Sequence, residues 1–376
     1  VRRGRGKGGG GVASTVVMVR TGARGTWICG AGLAAVAALA AAGGAAADRD
    51  VVKGVAASLP VLGASATPVS VSGLSGGGFM AVQYHVAFSA EVAGAGVLAG
   101  GPYYCSQASL VMAEGRCMRI PADINVSELV AITKSTFLTT GTIDDPSNLA
   151  DDRVWVLSAV QDSVVATGVL EKLEDYYSHF ITDPSSQIKG VYNQTGEHAF
   201  LTLKQGSECT YFGKPFINRC EFDAAGELLQ HLFDGSLVVP TGDDDDDGLA
   251  SGEILTFDQS PFVDEPYTMD MAALNDVGFV YVPNACKNGT APACQVHVAF
   301  HGCEQTVWDI GERFPLETGY NRWAAANDMI VLYPQARRTA VNPKGCWDWW
   351  GYTGLDFASK LGVQMQAVHR MVEHLA

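Results

Sequence analysis

Val69-Ser70-Val71-Ser72-Gly73-Leu74-Ser75-Gly76-Gly77-Gly78-Phe79-Met80 is the stretch on which the fold turns. Val69 to Ser72 reads as a short strand, and a helical pattern runs from Gly77 to about Ser89. Between them Gly73-Leu74-Ser75-Gly76-Gly77 fits G-x-S-x-G, a weak signal alone in a chain with 43 Gly. The setting gives it weight. A strand that turns at once into a helix brings the two backbones too close for a Cβ, so glycine is needed on both sides. Such a turn holds Ser75 Oγ clear of the sheet and aims the Gly76 N–H at a developing oxyanion. The competing reading is a glycine-rich connecting loop.

Working outward, short apolar runs alternate with helical patterns, which predicts an α/β sheet. Val92–Ala99, Val154–Leu157, Val296–Phe300 and Ile330–Tyr333 read as further strands. Leu361, Met365, Val368, Val372 and Leu375 recur at helical spacing and predict a C-terminal helix. No linker rich in Pro, Ser or Thr divides residues 48–376, so they are read as one catalytic domain. The segments near 100–150 and 200–260 are expected to be long loops, pinned by disulfides over the site.

The 376 residues hold 25 Lys+Arg against 40 Asp+Glu, a formal charge of −15, which argues against nucleic acid and anionic lipid as partners. Six of the basic residues and no acid fall within residues 1–47, so the rest carries 19 basic against 40 acidic residues. Arg20 and Arg24 precede an Ala-rich apolar run, Trp27 to Ala42, and Ala45-Ala46-Ala47 offers a cleavage site. Residues 1–47 are therefore expected to be an extension and secretion signal, with an uncleaved anchor as the alternative. Export to the periplasm or the medium follows, without stable membrane insertion after cleavage. Residues 1–17, ahead of Met18, read as an over-extended start.

Eight cysteines lie beyond the signal: Cys105, Cys117, Cys209, Cys220, Cys286, Cys294, Cys303 and Cys346. In an exported chain they suggest four disulfides. Among the roughly hundred pairings open to eight cysteines, short spacings favour 105–117, 209–220 and 286–294, leaving 303–346. No Cys-x-x-Cys or Cys/His cluster supports zinc. Asp243, Asp245, Asp247 and Gly248 fit the first half of a calcium loop, but Ile254 stands where the closing Glu is needed. A solvated acidic loop is the preferred reading, with calcium as its rival, and neither metal nor cofactor is expected at the site.

A serine nucleophile needs a base. Of eight histidines, His85 sits on the helix after the turn, His297 within a strand, and His179, His231, His369 and His374 on helical stretches. His198 lies in a glycine-bounded loop after the apolar Ile188–Tyr192, where a base belongs. Asp162, after Val154–Leu157, is the candidate orienting acid, and Ser75…Asp162…His198 is the chain order of α/β-hydrolases. Each of these two residues taken alone could equally be an ordinary loop residue. Val296–Phe300 runs into His301-Gly302-Cys303, a His-Gly signature of the loop that supplies the second oxyanion donor. That loop usually precedes the nucleophile; here it follows by more than 200 residues, which reads as a circular permutation.

These segments, with Leu332-Tyr333-Pro334-Gln335 and Asn342-Pro343-Lys344-Gly345-Cys346-Trp347-Asp348-Trp349-Trp350-Gly351-Tyr352, resemble the poly(3-hydroxybutyrate) depolymerases with a circularly permuted α/β-hydrolase domain. The resemblance runs from about Pro68 to Leu375. It implies a single domain with a mostly parallel sheet flanked by helices. It also implies Ser75 as nucleophile, Asp162 as orienting acid, His198 as base, the Gly76 and Cys303 amides as oxyanion hole, and the tryptophan loop as lining of a polyester crevice. On the residues themselves, Trp347, Trp349 and Trp350 divide between a binding wall and ordinary core. The expected function is that of an exported, monomeric serine esterase acting on hydroxyalkanoate polyester or its oligomers. An acetyl or feruloyl esterase for polysaccharide is the alternative, and a non-catalytic surface binding protein the more distant one. No linker or adsorption domain is visible, so amorphous or oligomeric substrate is expected over crystalline film.

Overall fold

A computed structural model describes residues 56–65, 67–241, 248–287 and 293–376, and residues 48–376 form one compact unit. The expected signal segment and the acidic run Asp243–Asp247 lie outside the described residues.

Eight strands form the main sheet: β1 (Val69–Leu74), β2 (Val92–Leu98), β3 (Arg153–Leu157), β4 (Ile188–Val191), β8 (Gly252–Asp258), β9 (Val277–Pro283), β10 (Gln295–Phe300) and β11 (Met329–Tyr333). Their spatial order is β4-β3-β2-β1-β10-β11-β9-β8. Neighbours from β4 to β11 pair in parallel, while β9 and β8 are antiparallel additions. Every residue of β1, β9 and β11 is buried, as expected of strands covered by helices on both faces. A small parallel sheet, β5 (Phe200–Thr202), β6 (Ser207–Glu208) and β7 (Ile217–Arg219), stands apart in the order β5-β7-β6. The 200–260 segment is therefore more than the long loop expected of it. It also holds a helix, Ala224–Leu232, and the whole of β8.

The central helix α1 (Gly76–Ala87) is buried at all twelve positions, because it lies between the sheet and the polypeptide that covers it. The C-terminal helix α2 (Val363–Leu375) is amphipathic. It buries Met365, Val368, Met371, Val372 and Leu375, while Glu373 and His374 stay exposed. Leu361, counted in its pattern, precedes the helix and is exposed.

The sheet has the adjacency that a permuted order requires. β1 and β10 are neighbours, with Gly73 opposite Phe300, although some 220 residues separate them in sequence. The two ends of the domain also meet: Leu62 and Ala64 N–H both donate to the Leu375 carbonyl, and His374 bonds the Leu59 carbonyl.

One row of the register places the site. Leu74, Leu98, Leu157 and Val191 are successive partners across β1, β2, β3 and β4, so these parallel strands end level with one another. Ligands of open parallel sheets gather outside the carboxyl ends of the strands. Ser75 comes one residue past that row, Asp162 five and His198 seven. β4 lies three strand spacings from β1, about 14 Å, and seven residues can reach up to about 23 Å. The histidine loop is long enough to fold back.

Candidate active site

The turn after β1 is built by what it lacks. A Cβ on Gly73 would stand 2.2 Å from the Gly77 carbonyl oxygen, and one on Gly77 would stand 2.3 Å from the Phe300 oxygen at the end of β10. Both approaches are closed to any larger residue. Ser75 is held between them at φ 56°, a conformation unusual for a residue with a side chain and common at functional sites. It sits where a serine ordinarily caps a helix, yet its hydroxyl makes no capping bond. From Val69 to Ser89 it is the one residue that is not buried.

Asp162 and His198 meet as expected. His198 Nδ1–H donates to the Asp162 carboxylate at 2.8 and 3.0 Å, and both side chains are almost wholly enclosed. The Val164 and Val165 amides donate to the same carboxylate at 2.8 Å each, fixing its orientation. With Nδ1–H committed to Asp162, the neutral imidazole keeps Nε2 as its free acceptor. The two loops are laced together. Glu197 Oε2 accepts from Ser163 N–H and Oγ–H and from the His198 N–H, while Gln161 exchanges bonds with Gly196. The Cys209–Cys220 disulfide closes the small sheet that continues from His198, and the Cys209 carbonyl accepts the Glu197 N–H.

The remaining histidines are occupied elsewhere. His85 is buried between Tyr177 and Asp152, and Asp152 precedes β3, at the opposite edge of the sheet from Ser75. His297 lies between Ser70 and Ser72, where burial pushes its pKa down to about 3. His179 follows the helix Thr167–Ser178 and stands 3.9 Å from Asp175.

The loop after β10 comes up against the serine turn. A Cβ on Gly76 would touch Cys303 Sγ at 3.1 Å. Cys303 is bonded to Cys346, and the other three disulfides are 105–117, 209–220 and 286–294, the pairings that spacing favoured. Closing the 43-residue separation from 303 to 346 stabilises the fold by roughly 4 kcal/mol in the chain-entropy picture. Among the described residues, no backbone carbonyl takes the Gly76 or Cys303 N–H.

The tryptophan loop divides. Trp347 is fully buried, edge-on to Phe300 and beside His301, and has no surface to offer a ligand. Its place in a substrate wall is corrected to core: the residue next to the disulfide is drawn under the sheet end. Trp349 stacks on Phe79 of α1 with centroids 4.0 Å apart, and its indole nitrogen lies 3.6 Å from where a Cβ on Gly76 would stand. Trp350 is half-buried between Trp349 and Tyr352. Asp348, which the sequence marks with Gly345 and Gly351 only as a sign of a loop, shapes this segment. Its buried carboxylate accepts from the N–H groups of Trp350, Gly351, Tyr352 and Thr353 and from the Thr353 hydroxyl. Glu197 was missed, although its place beside His198 in a glycine-bounded loop was a usable signal.

Among the described residues no group of three or more His, Cys, Asp or Glu could hold a metal, and no helix is long and apolar enough to cross a membrane. No protein-family model matches the chain. It is 42% identical over 322 residues to the poly(3-hydroxybutyrate) depolymerase of Delftia acidovorans, covering 85% of this chain and 62% of that protein. It thus spans less than two thirds of that relative. The polyhydroxybutyrate depolymerase of Talaromyces funiculosus is 34% identical over 335 residues, covering 85% of this chain and 93% of that protein. Two solved structures are similar. The PHB depolymerase of Penicillium funiculosum has a TM-score of 0.74 and 33% identity. A serine-to-alanine PHB depolymerase complexed with an R3HB trimer has 0.73 and 32%. Each of these comparisons covers 85% of this chain and 98% of the other. With identity at this level along almost the whole of the fungal relative, this chain belongs to the poly(3-hydroxybutyrate) depolymerase family.

Proposed function

We propose that this protein is a serine esterase that cleaves poly(3-hydroxybutyrate) or its oligomers through an acyl-enzyme, with Ser75, His198 and Asp162 as its catalytic unit. The observation that carries the reading is the enclosed Asp162–His198 pair at 2.8 Å, on the same edge of the sheet as an uncapped serine in a strained turn. Ser75 Oγ attacks the ester carbonyl while His198 Nε2 takes its proton. The imidazolium that forms keeps its Nδ1–H on Asp162, which holds the tautomer and offsets the new charge. The carbonyl oxygen, now an anion, is received by the Gly76 and Cys303 N–H groups. As the intermediate collapses the ester C–O bond breaks, and His198 gives its proton to the departing alkoxide oxygen; a water then follows the same route to cleave the acyl-enzyme and release the acid. No step draws on a cofactor.

A polyester interior carries esters and methyl groups but no charge, so binding several units needs apolar surface beside the serine. Half-buried Trp350 is the residue assigned to it, with the small exposed edge of Trp349, 7% exposed and lying over the first turn of α1, beside it. The name of the curated relatives and the trimer bound to the solved neighbour favour hydroxybutyrate over acetyl or feruloyl substrates. Four disulfides support work in an oxidising compartment outside the cytoplasm. The test is a panel of hydroxybutyrate trimer, acetylated xylan and p-nitrophenyl butyrate. Trimer cleaved fastest relative to its solution hydrolysis is the expected result; xylan deacetylation exceeding it assigns the polysaccharide esterase instead.

A further inference from the structure

Three successive peptide groups form the loop after β10, and the fold treats them differently. The N–H of Gly302 donates to Gln305 Oε1 at 2.6 Å. The N–H of Glu304 donates to the Lys344 carbonyl at 2.7 Å. Between them, the Cys303 N–H has no partner among the described residues. The other pole of that same peptide group, the Gly302 carbonyl, is bound instead: His301 Nδ1–H donates to it at 2.7 Å, with the Gln305 N–H at 3.3 Å. Because the C=O and N–H of a trans peptide point in opposite directions, a donor that fixes the carbonyl on the inner side turns the N–H to the outer side.

His301 is itself fixed. It is fully buried, and its Nε2 accepts the Ala336 N–H at 3.1 Å, just past the end of β11. The two bonds require the neutral tautomer with the proton on Nδ1. Burial favours that form, pushing the pKa down to about 4. Gln305 is also buried, and its Nε2–H₂ group donates to the Pro215 and Phe216 carbonyls at 2.9 and 3.0 Å. The Phe216 carbonyl accepts the Phe200 N–H as well, two residues after His198. One glutamine thus joins the loop of the oxyanion donor to the strand that leaves the histidine.

We infer that His301 and Gln305 are positioning residues that aim the Cys303 N–H at the oxyanion, His301 by holding the Gly302 carbonyl and Gln305 by tying this loop to that of His198. The inference rests on the serine-esterase reading above. A donor aimed at an oxyanion acts on the transition state more than on bound ester, so its misalignment lowers kcat and leaves KM nearly unchanged.

The experiment compares His301→Asn, His301→Gln and Gln305→Leu with the unaltered protein, each first shown to be folded by thermal melting. Kinetics are read on p-nitrophenyl butyrate, and affinity is read for a trifluoromethyl ketone, whose hemiketal with Ser75 carries an oxyanion. The Asn amide can donate from about the position of Nδ1, whereas the longer Gln amide reaches toward Ala336. His301→Gln and Gln305→Leu are expected to lose about 100-fold in kcat with KM within about twofold, and to lose affinity for the ketone in step. His301→Asn should stay within about tenfold of the unaltered protein. If one variant does not fold, the others still decide. Equal kcat in the Asn and Gln variants, or loss of kcat without loss of ketone affinity, overturns the inference. Failure of the esterase reading is distinct: the unaltered protein would then form no adduct on Ser75.

Discussion

The serine turn and the tryptophan loop lie against each other, Trp349 stacked on Phe79, yet they are held by opposite means. Around Ser75 the backbone packs so closely that the absence of side chains at Gly73 and Gly77 is the structural requirement. In the tryptophan loop, one buried carboxylate gathers four backbone amides and a hydroxyl into a shape with no regular secondary structure. The first region tolerates no added atom; the second tolerates no lost acceptor. Sterics of that kind is written in sequence as glycine at fixed offsets, whereas a polar hub such as Asp348 carries no pattern around it.

The largest effect belongs to the turn. Ser75→Ala and His198→Ala should each lower kcat by about 10⁴-fold or more with folding intact. Steady-state kinetics on p-nitrophenyl butyrate measures this. If His198→Ala stays within about tenfold, His198 is not the base and the assignment fails.

Next come two substitutions that set packing in the turn against packing in the loop. Gly77→Ala places a Cβ 2.3 Å from the Phe300 oxygen and should cost about 3 kcal/mol or more. Trp347→Ala removes a fully buried ring and should cost about 3–5 kcal/mol. Both losses are read from urea unfolding. Trp347→Ala should lower activity on trimer and on p-nitrophenyl butyrate alike, as befits a core residue.

Trp349→Ala and Trp350→Ala sharpen the contrast within the loop. Each should weaken kcat/KM by roughly 1–3 kcal/mol on hydroxybutyrate trimer, and far less on p-nitrophenyl butyrate, which need not reach the wall. Equal losses on both substrates would make the whole loop structural.

The most gradual effect is one of pH. His297 and His301 have pKa values lowered to about 3 and 4 by burial, so the unfolded chain binds protons that the fold refuses. Their contribution to stability is complete above the unfolded histidine value near 6.5 and is lost as pH falls toward the folded values. Each should add a slope of about 1.4 kcal/mol per pH unit between roughly pH 6 and 4. Urea midpoints across that range for the unaltered protein and for His301→Asn should differ in slope by that amount.

What was legible in the sequence follows the same contrast. β1, the glycine turn and α1 could be read because a buried strand and a forbidden Cβ both leave marks in residue types. The four disulfides followed from spacing. The small sheet was missed because strands of two or three residues are too short to show a period. β8 and β9 were missed because 18 residues separate them, with no tight turn to announce an antiparallel pair. Trp347 was misplaced for a related reason. In an irregular loop, neighbouring aromatics face directions set by tertiary contacts such as Phe300, which no local spacing records.

The central claim is that Ser75 is a nucleophile activated by His198 and Asp162, and covalent labelling tests it most directly. A fluorophosphonate should modify the protein once, on the peptide that contains Ser75. The rate of labelling should fall by several orders of magnitude in His198→Ala, and the Ser75→Ala protein should not be labelled at all. Label found on another residue, or labelling of Ser75 that is indifferent to His198, would contradict the account.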